Sequence, residues 1–213
     1  MTSSVDVSPT PKTECALALA LRYPADIAHL RHVTHLASLL FDALRPIHGL
    51  GEEARELLAC AAVLHDIGLA TAVAGHHRAA LRLILQADLP ALSTQDKQII
   101  ANVARYHRKA LPSPKHAEFR LLSPSAQEQV RRLAALLRVA DGLDRGHDGA
   151  VESVAAALTR PGAWTLWIDG PGDLEHAAWG ATRKADLFER VYGRRLIVTP
   201  RPNRNGTREA TML

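Results

Sequence analysis

Apolar residues recur every three or four positions through most of the chain, the periodicity of helices that bury one face. Val33, Ala37, Leu40 and Leu44 form one such stripe, Ile100, Val103 and His107 a second, and Leu133, Leu136, Leu137 and Ala140 a third. Breakers fall between the stripes: Pro46, Gly49 and Gly51, then Gly75, Pro90, Pro112, Pro114 and Pro124. This pattern predicts about six helices joined by short loops between Cys15 and about Ala157. Ser93 with Asp96 has the form of a capping box, and Ser123-Pro124 puts a proline in the first turn of the next helix. After Gly146 the texture changes. The stretches 163–170 and 194–200 alternate or are β-branched and predict strands, while 175–193 predicts one helix between them. Residues 1–13 and 201–213 are polar or Ser/Thr/Pro-rich and are expected to be flexible tails.

Hydrophobic residues make up 47% of the 213 positions but aromatic ones only 4%, so the core has to be built from Ala, Leu, Val and Ile, which suits packed helices and argues against an all-β fold. The expected architecture is mainly α: a helical domain over 14–150 and a small α/β annex over 151–200 packed on it. The net charge of +4 favours anionic ligands without the dense basic stripe of a dedicated DNA binder. Two cysteines, Cys15 and Cys60, are too few for a disulfide framework and fit a reducing cytosol. The first residues lack a basic leader, and the apolar run 16–21 stops at Arg22. No signal peptide or membrane span is expected, which makes the protein cytoplasmic.

The most informative segment is 56–70, ELLACAAVLHDIGLA, which from Leu57 to Ala70 is apolar except for His65 and Asp66. A helix apolar all round is buried all round, and an ionised carboxylate there needs a cation: a metal held together with His65, or an arginine or His65 itself. Four further positions bear on that choice. His29 lies four residues before Val33 on an inward stripe, His107 lies on the Ile100/Val103 face, and Asp141 ends the run 133–141. His76 and His77 open a helix from which one of them can point inward. Each has a plainer alternative: a core or capping histidine, a polar helix start, or an i, i+3 pair of Asp141 with Arg138. Imidazoles and carboxylates without thiolates suit Mn, Fe, Co, Ni or Zn, and their number leaves room for a two-metal centre.

The order His29, His65-Asp66, Asp141 resembles the HD-domain superfamily of metal-dependent phosphohydrolases, whose ligands follow the pattern H…HD…D. Within it, residues 25–190 are most similar to the C-terminal HD domain of the exopolyphosphatase/guanosine-pentaphosphate phosphatase family, through 32–44, 57–68, 75–85, 103–112, 131–149 and 183–196. Full-length members carry an actin-like phosphatase module ahead of this domain. With helices beginning near Cys15 the present sequence is read as a stand-alone version, so the family's substrates are not carried over. The resemblance implies an HD-domain helical bundle in which His29, His65, Asp66 and Asp141 hold one divalent ion. His76 or His77 with His107 would hold a second, His76 being slightly preferred because its spacing to Leu83-Ile84 matches the superfamily's usual pattern, and Asp66 would bridge the two. Either one or two ions per chain, of Mn, Fe, Mg, Co, Ni or Zn, would be bound.

Arg108 and Lys109 follow His107 directly, and in the context of the motif either is expected to neutralise a phosphate in a catalytic site that also includes Asp66; without that context a solvated helix end is the favoured reading. Arg145 and His147 carry the same two readings. The basic set Arg183, Lys184, Arg190, Arg194 and Arg195 is interrupted by Asp186 and Glu189 and reads as a solvated face rather than a nucleic-acid surface. Cys60, inside the apolar helix, reads as core rather than nucleophile. The expected function is hydrolysis of a nucleotide or another small phosphoester, by a monomer or a homodimer. The alternative is a regulatory, nucleotide-binding module of the same fold that acts through a partner protein.

Overall fold

The computed structural model describes residues 9–71 and 73–201. Its elements follow in the order α1 (Pro11–Ala20), α2 (Ile27–Ala43), α3 (Arg45–His48), α4 (Glu52–Leu64), a 3-10 turn (Ile67–Ala70), α5 (His76–Gln86), α6 (Thr94–Arg105), α7 (Ala117–Arg120) and α8 (Pro124–Leu143). There follow β1 (Ser153–Arg160), β2 (Ala163–Asp169), α9 (Leu174–Arg183), α10 (Asp186–Tyr192) and β3 (Arg195–Pro200). The protein is thus mainly helical with one small C-terminal sheet.

Helix α4 lies at the centre, against α1, α2, α6 and α8, and every residue from Leu57 to Leu64 is buried. An all-apolar sequence demands that position, because no face of it can be left in water. The expected caps form: Ser93 and Asp96 make a reciprocal box at the start of α6, and Ser123 accepts from the Ala126 N–H with Pro124 at the first helical position of α8.

Four expectations are corrected. The helix expected to run through residue 70 stops at Leu64. Asp66 has a bridge-region backbone (φ −108°, ψ 5°), and the 3-10 turn that follows lies against α5. Gly68 permits this approach, since a Cβ there would sit 2.1 Å from the His76 carbonyl oxygen and 2.6 Å from the Ala80 nitrogen. The single helix expected over 175–193 is two, α9 and α10, parted at Lys184 and Ala185. Residues 153–160, expected to begin helical, are β1, an exposed edge strand paired antiparallel with β2 through the turn at Gly162 (φ +82°). At the N-terminal end α1 begins at Pro11, inside the stretch expected to be a tail, because Thr10 and Thr13 form a capping box. The rest of the expected tails, residues 1–8 and 202–213, lies outside the described residues.

Strand β2 is central and pairs in parallel with β3, so α9 and α10 form the crossover between them. That crossover packs back on α8. The contact is close because two glycines meet: a Cβ on Gly142 would lie 2.7 Å from the Ala181 Cα, and one on Gly180 would lie 2.3 Å from the Gly142 carbonyl oxygen. The C-terminal helices are thereby seated against the end of α8 that carries Asp141.

Candidate metal centre

Five helical elements send polar side chains to one place in the apolar interior. His29 comes from the first turn of α2, His65 and Asp66 from the end of α4, His76 from the start of α5, His107 from just beyond α6, and Asp141 from the last turn of α8. His29, His65, His76 and His107 are each at most 3% exposed. Asp66 sits between two groups. Its Oδ2 is 3.6 Å from His65 Nε2 and 4.0 Å from His29 Nε2, while its Oδ1 is 3.1 Å from His76 Nε2 and 3.5 Å from His107 Nε2. Asp141 Oδ1 completes the first group, 3.7 Å from His29 Nε2 and 3.9 Å from His65 Nε2.

Every imidazole in the cluster is anchored by its other nitrogen. The Nδ1–H of His65 donates to the Ala62 carbonyl at 2.7 Å, that of His107 to Ala104 at 2.7 Å, and that of His76 to Val73 at 3.0 Å. His29 Nδ1 donates to the Asp144 carboxylate at 2.7 Å. A proton fixed on Nδ1 leaves the Nε2 lone pair free in the neutral ring, which is the arrangement that metal-binding histidines use.

The chemistry of this set fits a divalent cation. His29 Nε2, His65 Nε2 and Asp66 Oδ1 are buried without a hydrogen-bond partner, and orphaned polar atoms that converge on one point are expensive unless an ion satisfies them. His29, His65 and Asp66 form one group with ligand-compatible spacing, and Asp66, His76 and His107 a second, with Asp66 common to both. Nitrogen and carboxylate donors without sulfur match the transition-metal class expected from the sequence.

The electrostatics agree. Burial raises the Asp66 pKa, but the surrounding imidazoles, His65 first, lower it further and hold the carboxyl well below the usual carboxylate range. Burial also pushes the His107 imidazole down to about 3, so it stays neutral. Asp141 is depressed as well: burial opposes its ionisation, but the ion-paired Lys184 ammonium together with His107 and His65 outweighs that.

Not every expected residue joins the cluster. The structure brings in His76 and leaves out His77, whose ring meets His76 only edge-on at a centroid distance of 6.0 Å. Arg138, the alternative partner of Asp141, instead pairs with Asp186 at 2.8 Å and donates to the Tyr106 carbonyl. Arg108 and Lys109 both line the cleft that opens over Asp66, and Arg108 Nη1 is 3.3 Å from His76 Nε2. Lys109 has φ 60°, a left-handed backbone unusual for a lysine. Cys60 is buried, its thiol pushed up to about 12, consistent with a core role.

Two participants escaped the sequence analysis. Asp144 is fully buried and orients His29; its one signal is that it lies three residues after Asp141, on the same helical face. Lys184 carries no local signal, since only the break between α9 and α10 delivers it to Asp141. Both Lys184 and Arg183 line the cleft; Arg183 is exposed, as a solvated face requires, whereas the half-buried Lys184, paired with Asp141, departs from that expectation.

Fold and site together define a helical domain that presents, at the floor of a basic cleft, a His/Asp cluster with the spacing to hold a metal ion. A family model described as Ppx/GppA phosphatase, domain III, matches residues 12–170, and the chain belongs to that family. Among the described residues no helix is long and apolar enough to cross a membrane.

Proposed function

We propose that the protein is an HD-domain, metal-dependent phosphohydrolase acting on a nucleotide or another small phosphoester. The observation that carries this reading is the pair of ligand groups sharing Asp66 beneath a cationic cleft. His29, His65, Asp66 and Asp141 would hold one divalent ion, His76 and His107 a second, with Asp66 bridging. When bound, such ions polarise a phosphoryl oxygen and acidify water, which is what hydrolysis of a phosphoester at neutral pH requires.

The chain's own residues do the rest. Arg108, at the rim beside His76, provides a guanidinium fork for the non-bridging phosphate oxygens, and Lys109 adds a second positive charge. Asp144 keeps the His29 tautomer that leaves Nε2 free, and Lys184 holds one oxygen of Asp141 so that the other faces the histidines. Membership of a phosphatase family supports the reaction class. A regulatory, nucleotide-binding module is the second reading, favoured by the match being to domain III of that family.

The two readings separate in a hydrolysis assay over a panel of nucleotides and sugar phosphates with added Mn. The enzyme reading predicts turnover of at least one ester, lost in both Asp66→Ala and His107→Ala. Binding without turnover across the panel would favour the module.

A further inference from the structure

The cleft over the metal cluster, about 470 Å³, carries more positive charge than one phosphate needs. Of the basic side chains lining it, Arg138 is neutralised by Asp186 and Lys184 by Asp141. Among the described residues no acidic side chain pairs with the other four, Arg108, Lys109, Arg145 and Arg183. Arg108 and Lys109 stand beside His107, and Arg145 and Arg183 form a separate pair. The Arg145 guanidinium lies 5.2 Å from the centroid of the Trp179 ring and that of Arg183 5.7 Å from it. Trp179 itself is 49% exposed, an unusual place for an indole unless it serves a ligand or a neighbouring side chain.

The local structure explains how this pair is assembled. Arg145 follows the end of α8, whereas Trp179 and Arg183 are one turn apart on α9, and the Gly142–Gly180 contact brings the two helices together. Gly180 is also the point where a Cβ would press on Arg145, 3.1 Å from its Cβ. Helix α9 lies beyond residue 170, where the family match ends. Stacking on an indole restrains a guanidinium without neutralising it, so two restrained, uncompensated forks face the same cleft.

We propose that Arg145 and Arg183, braced by Trp179, form a second anion subsite beside the metal cluster, and that the substrate carries a second phosphate group which this clamp holds. The proposal rests on the phosphohydrolase reading for the word substrate, but the clamp exists independently of the metal ligands and can be tested without them.

The test uses the full chain with Asp66→Ala, stripped of metal on a chelating resin and titrated calorimetrically with inorganic phosphate at low ionic strength. Saturable binding of one phosphate is expected, weakened at least about tenfold when Arg145→Ala and Arg183→Ala are added. These two side chains are exposed, so the fold should survive their removal, and circular dichroism verifies it. No saturable binding, or the same affinity without the two arginines, overturns the clamp. In the Mn-loaded wild type, ADP is expected to bind about tenfold tighter than AMP, and equal affinities would contradict the second phosphate. If the wild type hydrolyses no ester while phosphate still saturates the Asp66→Ala protein, hydrolysis fails and the clamp stands.

Discussion

At the scale of single residues the cluster depends on groups that never touch an ion. Asp144→Asn keeps the shape of the side chain that orients His29 but removes the charge that fixes its Nδ1 proton. Metal affinity should fall about 10- to 100-fold, read by competition with a chromophoric chelator; an unchanged affinity would show that His29 is not a ligand. His77→Ala is the matching control and should leave affinity as it is, because His77 lies outside both ligand groups. Away from the site, His48 is buried with Nε2–H donating to the Phe41 carbonyl at 2.7 Å and Nδ1 accepting from the Leu50 N–H at 3.0 Å. Burial holds its pKa below the ordinary 6.5, so below that pH the unfolded chain takes up a proton that the folded chain refuses. Stability is lost as pH falls from 6.5 towards the lower folded value, and His48→Gln should flatten that acid slope in thermal melts. Residue-scale chemistry was the most legible in the sequence: His29, His65, Asp66, His107 and Asp141 stood out because polar groups on apolar faces need a reason. Between His76 and His77, adjacent in sequence, the resemblance gave only a slight preference for His76, and it is packing that separates them, with His76 in a ligand group and His77 outside both.

Elements converge on the cluster because glycines let them approach. Gly68→Ala would set a Cβ against the α5 backbone, at His76 and Ala80, neither of which can yield as a flexible side chain could. Helix α5 should be pushed away, carrying His76 from Asp66. The expected result is a loss of about 1–3 kcal/mol in denaturant unfolding together with weaker metal binding. A stable variant with full affinity would mean that α5 contributes no ligand. Helix capping was readable at Ser93 and Ser123 because it is local chemistry. Strand β1 was not, because SVAAALTR is alanine-rich and becomes a strand only by pairing with β2. Nor was the break between α9 and α10, where a long-range ion pair with Asp141 accompanies the interruption of an otherwise helical sequence.

Across the whole molecule, the centre joins residues as far apart in sequence as His29 and Asp144, separated by 115 positions. Periodicity shows that such residues face inward but cannot show that they meet, and for this chain the H…HD…D order supplied the missing link. The basic mouth belongs to the same scale, since Arg108 and Lys109 come from just beyond α6, Arg145 from just beyond α8, and Trp179 and Arg183 from α9. Its charge is scattered along the sequence and becomes a site only when α9 docks on α8. The proposed hydrolysis rests on the claim that the His/Asp cluster holds metal. Elemental analysis of untagged protein purified without chelator, beside Asp66→Ala, tests that claim most directly. The account predicts about one or two transition-metal ions per chain in the wild type and loss of metal in the variant. The absence of metal from both proteins, even after reconstitution with Mn or Fe, would contradict it.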